Sequence, residues 1–459
     1  MTLKLLKKRL YTALSILICC LTAEGTRAQV SLTLLESNIS SQSDQTITDV
    51  TYGSILAATN IQAKSTNASF AAIAGSTGSV VLNKVNIKPA QVGTINLSGT
   101  AAFFPLSQTP VTFYNGIGLI GRVSADFKII MAGNAWTAGT YTTPLELSNV
   151  TPSTQALNLT VPDFITMSTN APATTTMTTT LASYRTGGGL SATNAFTYYT
   201  TLPTLIKLKT GSTNFGFTTT TPKITDPVNS ASLLSAILTL PATSIGSAVT
   251  LSTTDQQITS NTGIPITTNN LSSATAALSI SPALLKANFI QAGTYTLPIT
   301  YTMSKTATAF NSAKTATTSS SVQVVVPRLL EMVVSTNDVL FNINTVNIYK
   351  NGLTTAMPAI VLSSTVPYNV SVKASGNFTS ATSATIPAGT ITVEGTSAET
   401  GVSSIILSNA SQTLISGAAP VIDRNLMLQY RISAAQAANL LGKTAGLYQN
   451  TITFTCTAP

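Results

Sequence analysis

Ala292-Gly293-Thr294-Tyr295-Thr296-Leu297-Pro298-Ile299-Thr300-Tyr301 decides how this chain is read. From Tyr295 onward apolar side chains fall at every second position. Leu297, Ile299, Tyr301 and Met303 share one face, while Thr, Pro and Ser occupy the other. Period two is the pattern of a strand with one buried face. The opening phrase recurs as Ala138-Gly139-Thr140-Tyr141 and as Ala445-Gly446-Leu447-Tyr448, so its glycines stand 154 and 153 residues apart. The same alternation follows each copy, through Leu145 and Leu147 in the first and Ile452, Phe454 and Cys456 in the third.

A second strand precedes each phrase. Val123, Ala125, Phe127 and Ile129 alternate in the first copy, Leu278 and Ile280 in the second, and Leu426, Leu428, Tyr430 and Ile432 in the third. The connecting pieces Ala283–Ala287 and Ala434–Leu440 read as single helical turns. A strand, a helical turn and then Gly-x-Tyr leading into a strand is the pattern of a tyrosine corner in an immunoglobulin-like sandwich. The glycine permits a tight approach that a Cβ would obstruct.

Another phrase marks boundaries. Leu157-Asn158-Leu159-Thr160-Val161-Pro162 is followed by Met167, and Val322-Gln323-Val324-Val325-Val326-Pro327 by Met332, five residues after each proline. Proline cannot donate to a ladder and suits the end or edge of a strand. Such a run closes the preceding sandwich, opens the next, or does both along its length. A shorter echo links Leu202–Lys209 with Val366–Lys373, and the Thr/Ala/Ser-rich piece 304–320 reads as a linker or a long hairpin loop. These repeats predict an all-β chain of three tandem immunoglobulin-like sandwich domains, at 29–155, 156–318 and 319–459, after a signal peptide at 1–28.

The export signal is read from Lys4, Lys7, Lys8 and Arg9, the apolar run Ala13–Leu21, and Thr26-Arg27-Ala28 before Gln29. A lipid-anchored form at Cys19 or Cys20 is the alternative; Ile18 and Cys19 precede them, where small residues are usual. Later apolar runs are interrupted well short of the roughly 18 residues a spanning helix needs. Five of the 23 basic residues and one of the 14 acidic residues precede Gln29, leaving 18 against 13, scattered singly. Nucleic-acid binding wants basic residues clustered on one face, so no nucleic-acid partner is expected.

Chemistry is sparse. The chain contains no histidine, which removes Ser-His-Asp and Cys-His nucleophile systems and the common zinc sites. No pair among the few carboxylates has a spacing that suggests a glycosidase couple, and no Asp-x-Asp-x-Asp run suggests a calcium loop. Gly187-Gly188-Gly189 lacks the Lys and Ser/Thr of a phosphate loop and reads as a turn. No enzyme, cofactor, metal or catalytic residue is expected. Cys456 shares the inward face with Ile452 and Phe454 and reads as a buried small residue, an intermolecular disulfide being the alternative. Trp136, the one tryptophan, reads as a core anchor, because Ile290 holds its position in the second unit. Phe103-Phe104 and Phe113-Tyr114 form the other aromatic cluster of the first unit.

On the Ala-Gly-Thr-Tyr ending, best seen at 292–301, and the valine-rich beginning at 322–326, the units resemble the pilin-like domains of the spore coat protein U and archaic chaperone–usher fimbria group. About 25 residues per unit carry the likeness, and Met167 and Met332 stand where that group often has a cysteine. The resemblance implies a secreted, non-catalytic structural or adhesive surface protein, located in the periplasm, on the outer surface or outside the cell. A glycan- or polymer-binding surface protein, with host or environmental glycans as ligands, is the alternative. The first two units are followed by a further β-rich run, whereas the third ends eleven residues after Tyr448. If that run closes a sandwich, the last one lacks a strand that a neighbouring subunit would add, by self-assembly or from another surface protein. Val30-Ser31-Leu32-Thr33-Leu34 alternates as such a donor would, or as the first strand of its own domain.

Overall fold

The computed structural model describes residues 29–458 except 74, 308, 311, 312, 335–337 and 358. The predicted export signal, with Cys19 and Cys20, lies outside the described residues. Thr, Val, Ile and Tyr dominate the alternating segments, and such β-branched and aromatic side chains pack well on a pleated surface. The result is all-β: strands gathered around three hydrophobic cores in chain order.

The first core is enclosed by β1 (Val30–Thr33), β2 (Gln45–Ser65), β3 (Val85–Val92), β4 (Val111–Ile129), β5 (Gly139–Leu147) and β6 (Thr154–Val161), hydrogen-bonded in the order β1-β6-β5-β2-β4-β3. The 21-residue β2 passes from one layer to the other. Gln45–Ala63 pairs with β4, and Ala63–Ser65 pairs with β5. Trp136 and Tyr141 are buried here among Phe127, Leu145, Leu157 and Leu159.

Around the second core lie β7 (Ile165–Thr169), β8 (Thr174–Thr178), β9 (Leu190–Thr200), β10 (Thr204–Thr210), β11 (Leu271–Ile280), β12 (Gly293–Lys305) and β13 (Thr315–Val326). They form two separate sheets, one containing β7-β9-β11 and the other β8-β13-β12-β10. Helix α1 (Pro282–Asn288) leads from β11 toward β12, with Ser281 accepting the N–H of Leu284 as its cap. That is the helical turn expected at Ala283–Ala287. Pairing of Ser304 with Thr315 makes the 304–320 piece the two arms and tip of a hairpin.

The third core is covered by β14 (Leu330–Val334), β15 (Ile360–Ser364), β16 (Tyr368–Ala374), β17 (Gln412–Ala418) and β18 (Ile452–Thr457), together with shorter strands. β14 pairs with β15, while β16 lies between β17 and β18. The echo between Leu202–Lys209 and Val366–Lys373 has a structural counterpart, because β10 and β16 each run antiparallel to the strand that follows a Gly-x-Tyr phrase.

Pairing also settles which way the boundary runs face. β6 is antiparallel to β5 and parallel to β1; β13 is antiparallel to β12 and parallel to β8. Each run therefore closes the preceding sandwich. β1 belongs to its own unit, with Val30, Leu32 and Leu34 buried, so it is a resident strand and not a free donor.

Candidate functional site

The three Gly-x-Tyr phrases share one backbone. Gly139, Gly293 and Gly446 have φ of 148°, 153° and 154°, a region that side chains rarely adopt. At the first two, a Cβ would press into Ser76 or into Phe217 and the Thr218 carbonyl. Each tyrosine hydroxyl then donates to the carbonyl four residues upstream: Tyr141 to Thr137 at 2.8 Å, Tyr295 to Gln291 at 2.9 Å, and Tyr448 to Thr444 at 3.0 Å. Burial raises the Tyr141 hydroxyl to about 12 and pushes that of Tyr295 up as well, so both stay protonated donors at neutral pH.

What differs is what lies beside the strands. β5 has β6 on one side and β2 on the other, and Tyr141, Leu145 and Leu147 are buried. β12 has β13 and β10, and Tyr295, Leu297, Ile299, Tyr301 and Met303 are buried. β18 has β16 alone among the described residues. Its inward residues Ile452, Phe454 and Cys456 are only half-buried, as is Tyr448, although all four pack against the third core. The expectation of a buried Cys456 is therefore corrected to a half-buried one. The strand that would cover them is not supplied by the described chain. Partial burial still raises the Cys456 thiol pKa.

β8 starts nine residues after the start of β7 and pairs with the closing strand β13. Nine residues after the start of β14 comes Val339-Leu340-Phe341-Asn342-Ile343, outside any strand. Val339, Phe341 and Ile343 are half-buried against the core and Leu340 is exposed. Val339, Phe341 and Ile343 thus line the third core at the sequence offset that β8 has from β7, but outside any strand. An open edge offers a row of backbone donors and acceptors, here above an apolar floor.

The first unit carries a different surface. Beyond Gly53, β2 and β4 pair through Ile55–Gly121 and Ala57–Leu119, beside the β5–β6 turn, where Ser54 bridges Thr151. This pole lies opposite the end at which β5 begins and β6 leaves for the second unit. Leu56 (82% exposed), Ile117 (72%), Ile120 and Leu119 project there. The aromatic residues singled out from the sequence lie elsewhere. Trp136 and Phe113 are buried, and Phe103, Phe104 and Tyr114 are half-buried, with Lys88 Nζ 4.9 Å from the Phe103 ring centre. Gly187–Gly189 is a turn in which a Cβ at Gly188 would meet the Ala182 carbonyl. No three His, Cys, Asp or Glu side chains are grouped to hold a metal among the described residues. No described helix is long and apolar enough to cross a membrane.

The sequence matches no protein-family model and no curated protein. Among solved structures, the CfaE adhesin of enterotoxigenic Escherichia coli aligns over 66% of this chain and 98% of its own, at 12% identity and a TM-score of 0.28. The chaperone–tip subunit complex CsuC–CsuE from the archaic chaperone–usher Csu pili of Acinetobacter baumannii aligns over 63% and 99%, at 16% identity and 0.29. The CupB6 tip adhesin of Pseudomonas aeruginosa aligns over 61% and 85%, at 8% identity and 0.25. At such identities and scores the likeness concerns β-architecture, and the functional reading rests on this chain's own strands.

Proposed function

We propose that this chain is a secreted, non-enzymatic, fimbria-like surface subunit of three tandem sandwich units, and that its third unit accepts an extended strand from a neighbouring polypeptide. The observation that carries this is the contrast in burial between β12 and β18. The same phrase and the same corner lead into both strands, yet the inward residues of β18 are half-bare where a third strand would seal them. Strand addition supplies the missing backbone partners and covers the apolar floor in one step.

The first unit gives the adhesive end of such a rod its surface. Leu56, Ile117, Leu119 and Ile120 are exposed at the pole farthest from the second unit, on strands anchored by a complete core. The alternative, a glycan-binding module, calls for exposed aromatic rings in that unit. The rings named above are buried or half-buried, which favours the structural and adhesive reading.

A synthetic peptide copying Thr318–Leu329 tests the strand-acceptor reading on the full chain. It should bind and raise the midpoint of the third unit's unfolding. A control peptide with serine at the positions of Val322, Val324 and Val326 should not. Equal behaviour of the two peptides would defeat the reading.

A further inference from the structure

The two joints between successive units are built alike. At the first, the Ala138 N–H donates to the Thr201 carbonyl at 2.9 Å and the Thr201 N–H to the Phe164 carbonyl at 3.2 Å. The Thr201 hydroxyl donates to the Pro162 carbonyl at 2.8 Å and accepts the Phe164 N–H at 3.1 Å. At the second, the Ala292 N–H donates to the Thr365 carbonyl at 2.7 Å and the Thr365 N–H to the Leu329 carbonyl at 3.0 Å. The Thr365 hydroxyl donates to the Pro327 carbonyl and accepts the Leu329 N–H, both at 2.7 Å. Both threonines are fully buried, and each opens a Thr-apolar-Pro triplet, Thr201-Leu202-Pro203 and Thr365-Val366-Pro367.

One threonine at the head of each following unit therefore ties three segments together. These are its own loop, the Pro-x-apolar piece after the closing strand, and the alanine of the preceding unit's Ala-Gly phrase. Buried backbone groups need such partners, and four bonds converging on one residue fix the direction in which the next unit leaves. The third Ala-Gly phrase has the same backbone, with Gly446 at φ 154° and its tyrosine corner closed. Ala138 and Ala292 are buried, but Ala445 is exposed, and its N–H donates to no described residue.

We propose that Ala445, Gly446 and the open edge of β18 form the unoccupied half of a third joint of this same design. The inference rests on the strand-acceptor reading and specifies the partner. The occupant proposed is a segment of a different polypeptide; Val30–Leu34 of a second copy is not that segment, being buried in its own first unit. Its entering strand carries apolar residues at alternate positions and ends apolar-Pro-x-apolar. A buried Thr-x-Pro follows 38 or 39 residues after that proline, the separations found at the two internal joints. The threonine carbonyl of the partner accepts the Ala445 N–H, so the contact between polypeptides reproduces the joints within this one.

Two extensions of the full chain after Pro459 test this. The shorter repeats residues 306–329, supplying a strand and its Pro-x-Leu end. The longer repeats residues 306–459 and adds a unit with its threonine. Amide exchange is read at Ala445 and along Ile452–Thr457. Both extensions should slow the β18 amides that face the open edge, but only the longer should slow Ala445, by about a hundredfold. Thr365→Val in the added copy should return Ala445 most of the way to its original rate. If β18 slows in both while Ala445 exchanges equally fast in both, the joint is wrong and the strand-acceptor reading stands. If β18 is unchanged in both, that reading falls as well. Should the longer extension fail to fold, a repeat of residues 148–326 poses the same question with β6 and Thr201.

Discussion

β12 and β18 share a phrase, a corner and an alternating pattern, and they end in different surroundings. β12 lies between β10 and β13 and buries every inward residue from Tyr295 to Met303. β18 lies beside β16 only, and Ile452, Phe454 and Cys456 remain half-exposed. The alternation prepares a face for burial, but a neighbouring strand has to complete it. A strand that carries a core pattern and lacks a described neighbour on one side is left with its inward face half-exposed.

Substitutions at equivalent positions sharpen this contrast most. Tyr295→Ala removes a fully buried ring and its hydrogen bond to Gln291, and should cost about 3–5 kcal/mol in denaturant unfolding of the second unit. Tyr448→Ala should cost the third unit only about 1 kcal/mol, because part of its ring is already in water. Equal losses would erase the distinction between the two edges. Next in size is the gain on filling the gap. The Thr318–Leu329 peptide at a hundred times its Kd should stabilise the third unit by about 2.7 kcal/mol and leave the second unchanged.

The joints give a smaller effect that separates packing from docking. Thr365→Val keeps the shape and removes the hydroxyl, leaving the Pro327 carbonyl and the Leu329 N–H without that partner. About 1–3 kcal/mol should be lost, seen as easier separation of the second and third units in scattering or proteolysis. Peptide binding at β18 should persist. Smallest is the ionic contact across the same joint, where Arg185 meets Glu331 at 3.0 Å and Asp423 at 3.1 Å. Burial alone pushes the Asp423 carboxyl upward, and hydrogen bonds from Arg185 and Ser363 more than offset it, so its pKa is lowered. A lowered carboxylate stabilises the folded joint above its unfolded value near 3.8, and that contribution disappears as pH falls through the lowered pKa. Acidification below about pH 4 should therefore loosen the joint by under about 1 kcal/mol, and Arg185→Ala should weaken the dependence, Ser363 and Lys286 remaining beside Asp423. A pH-independent inter-unit angle in wild type would contradict the role of Asp423.

Much of the architecture is legible in the sequence because it depends on local periodicity. The spaced Gly-x-Tyr phrases, the helical turn after β11 and the core position of Trp136 follow from alternation, glycine placement and one aromatic at a known offset. The boundary runs were ambiguous, since a strand ending in proline has the same pattern whichever sandwich it joins; only the pairing of β6 with β5 and of β13 with β12 resolves it. The openness of β18 shows only in the pairing, where β16 is its one described neighbour. The degree of burial is not legible in the sequence, because Ile452, Phe454 and Cys456 carry the same pattern as Leu297, Ile299 and Tyr301. Thr201 and Thr365 escaped notice among many threonines, and the signal that would have found them is the shared Thr-apolar-Pro triplet.

Amide exchange on the unmodified chain tests the open edge most directly. The account predicts that β12 amides toward β13 and toward β10 exchange equally slowly, whereas β18 amides are slow toward β16 and fast on the opposite side. Uniformly slow exchange on both sides of β18 would contradict it, since some segment of the same chain would then already be bonded there.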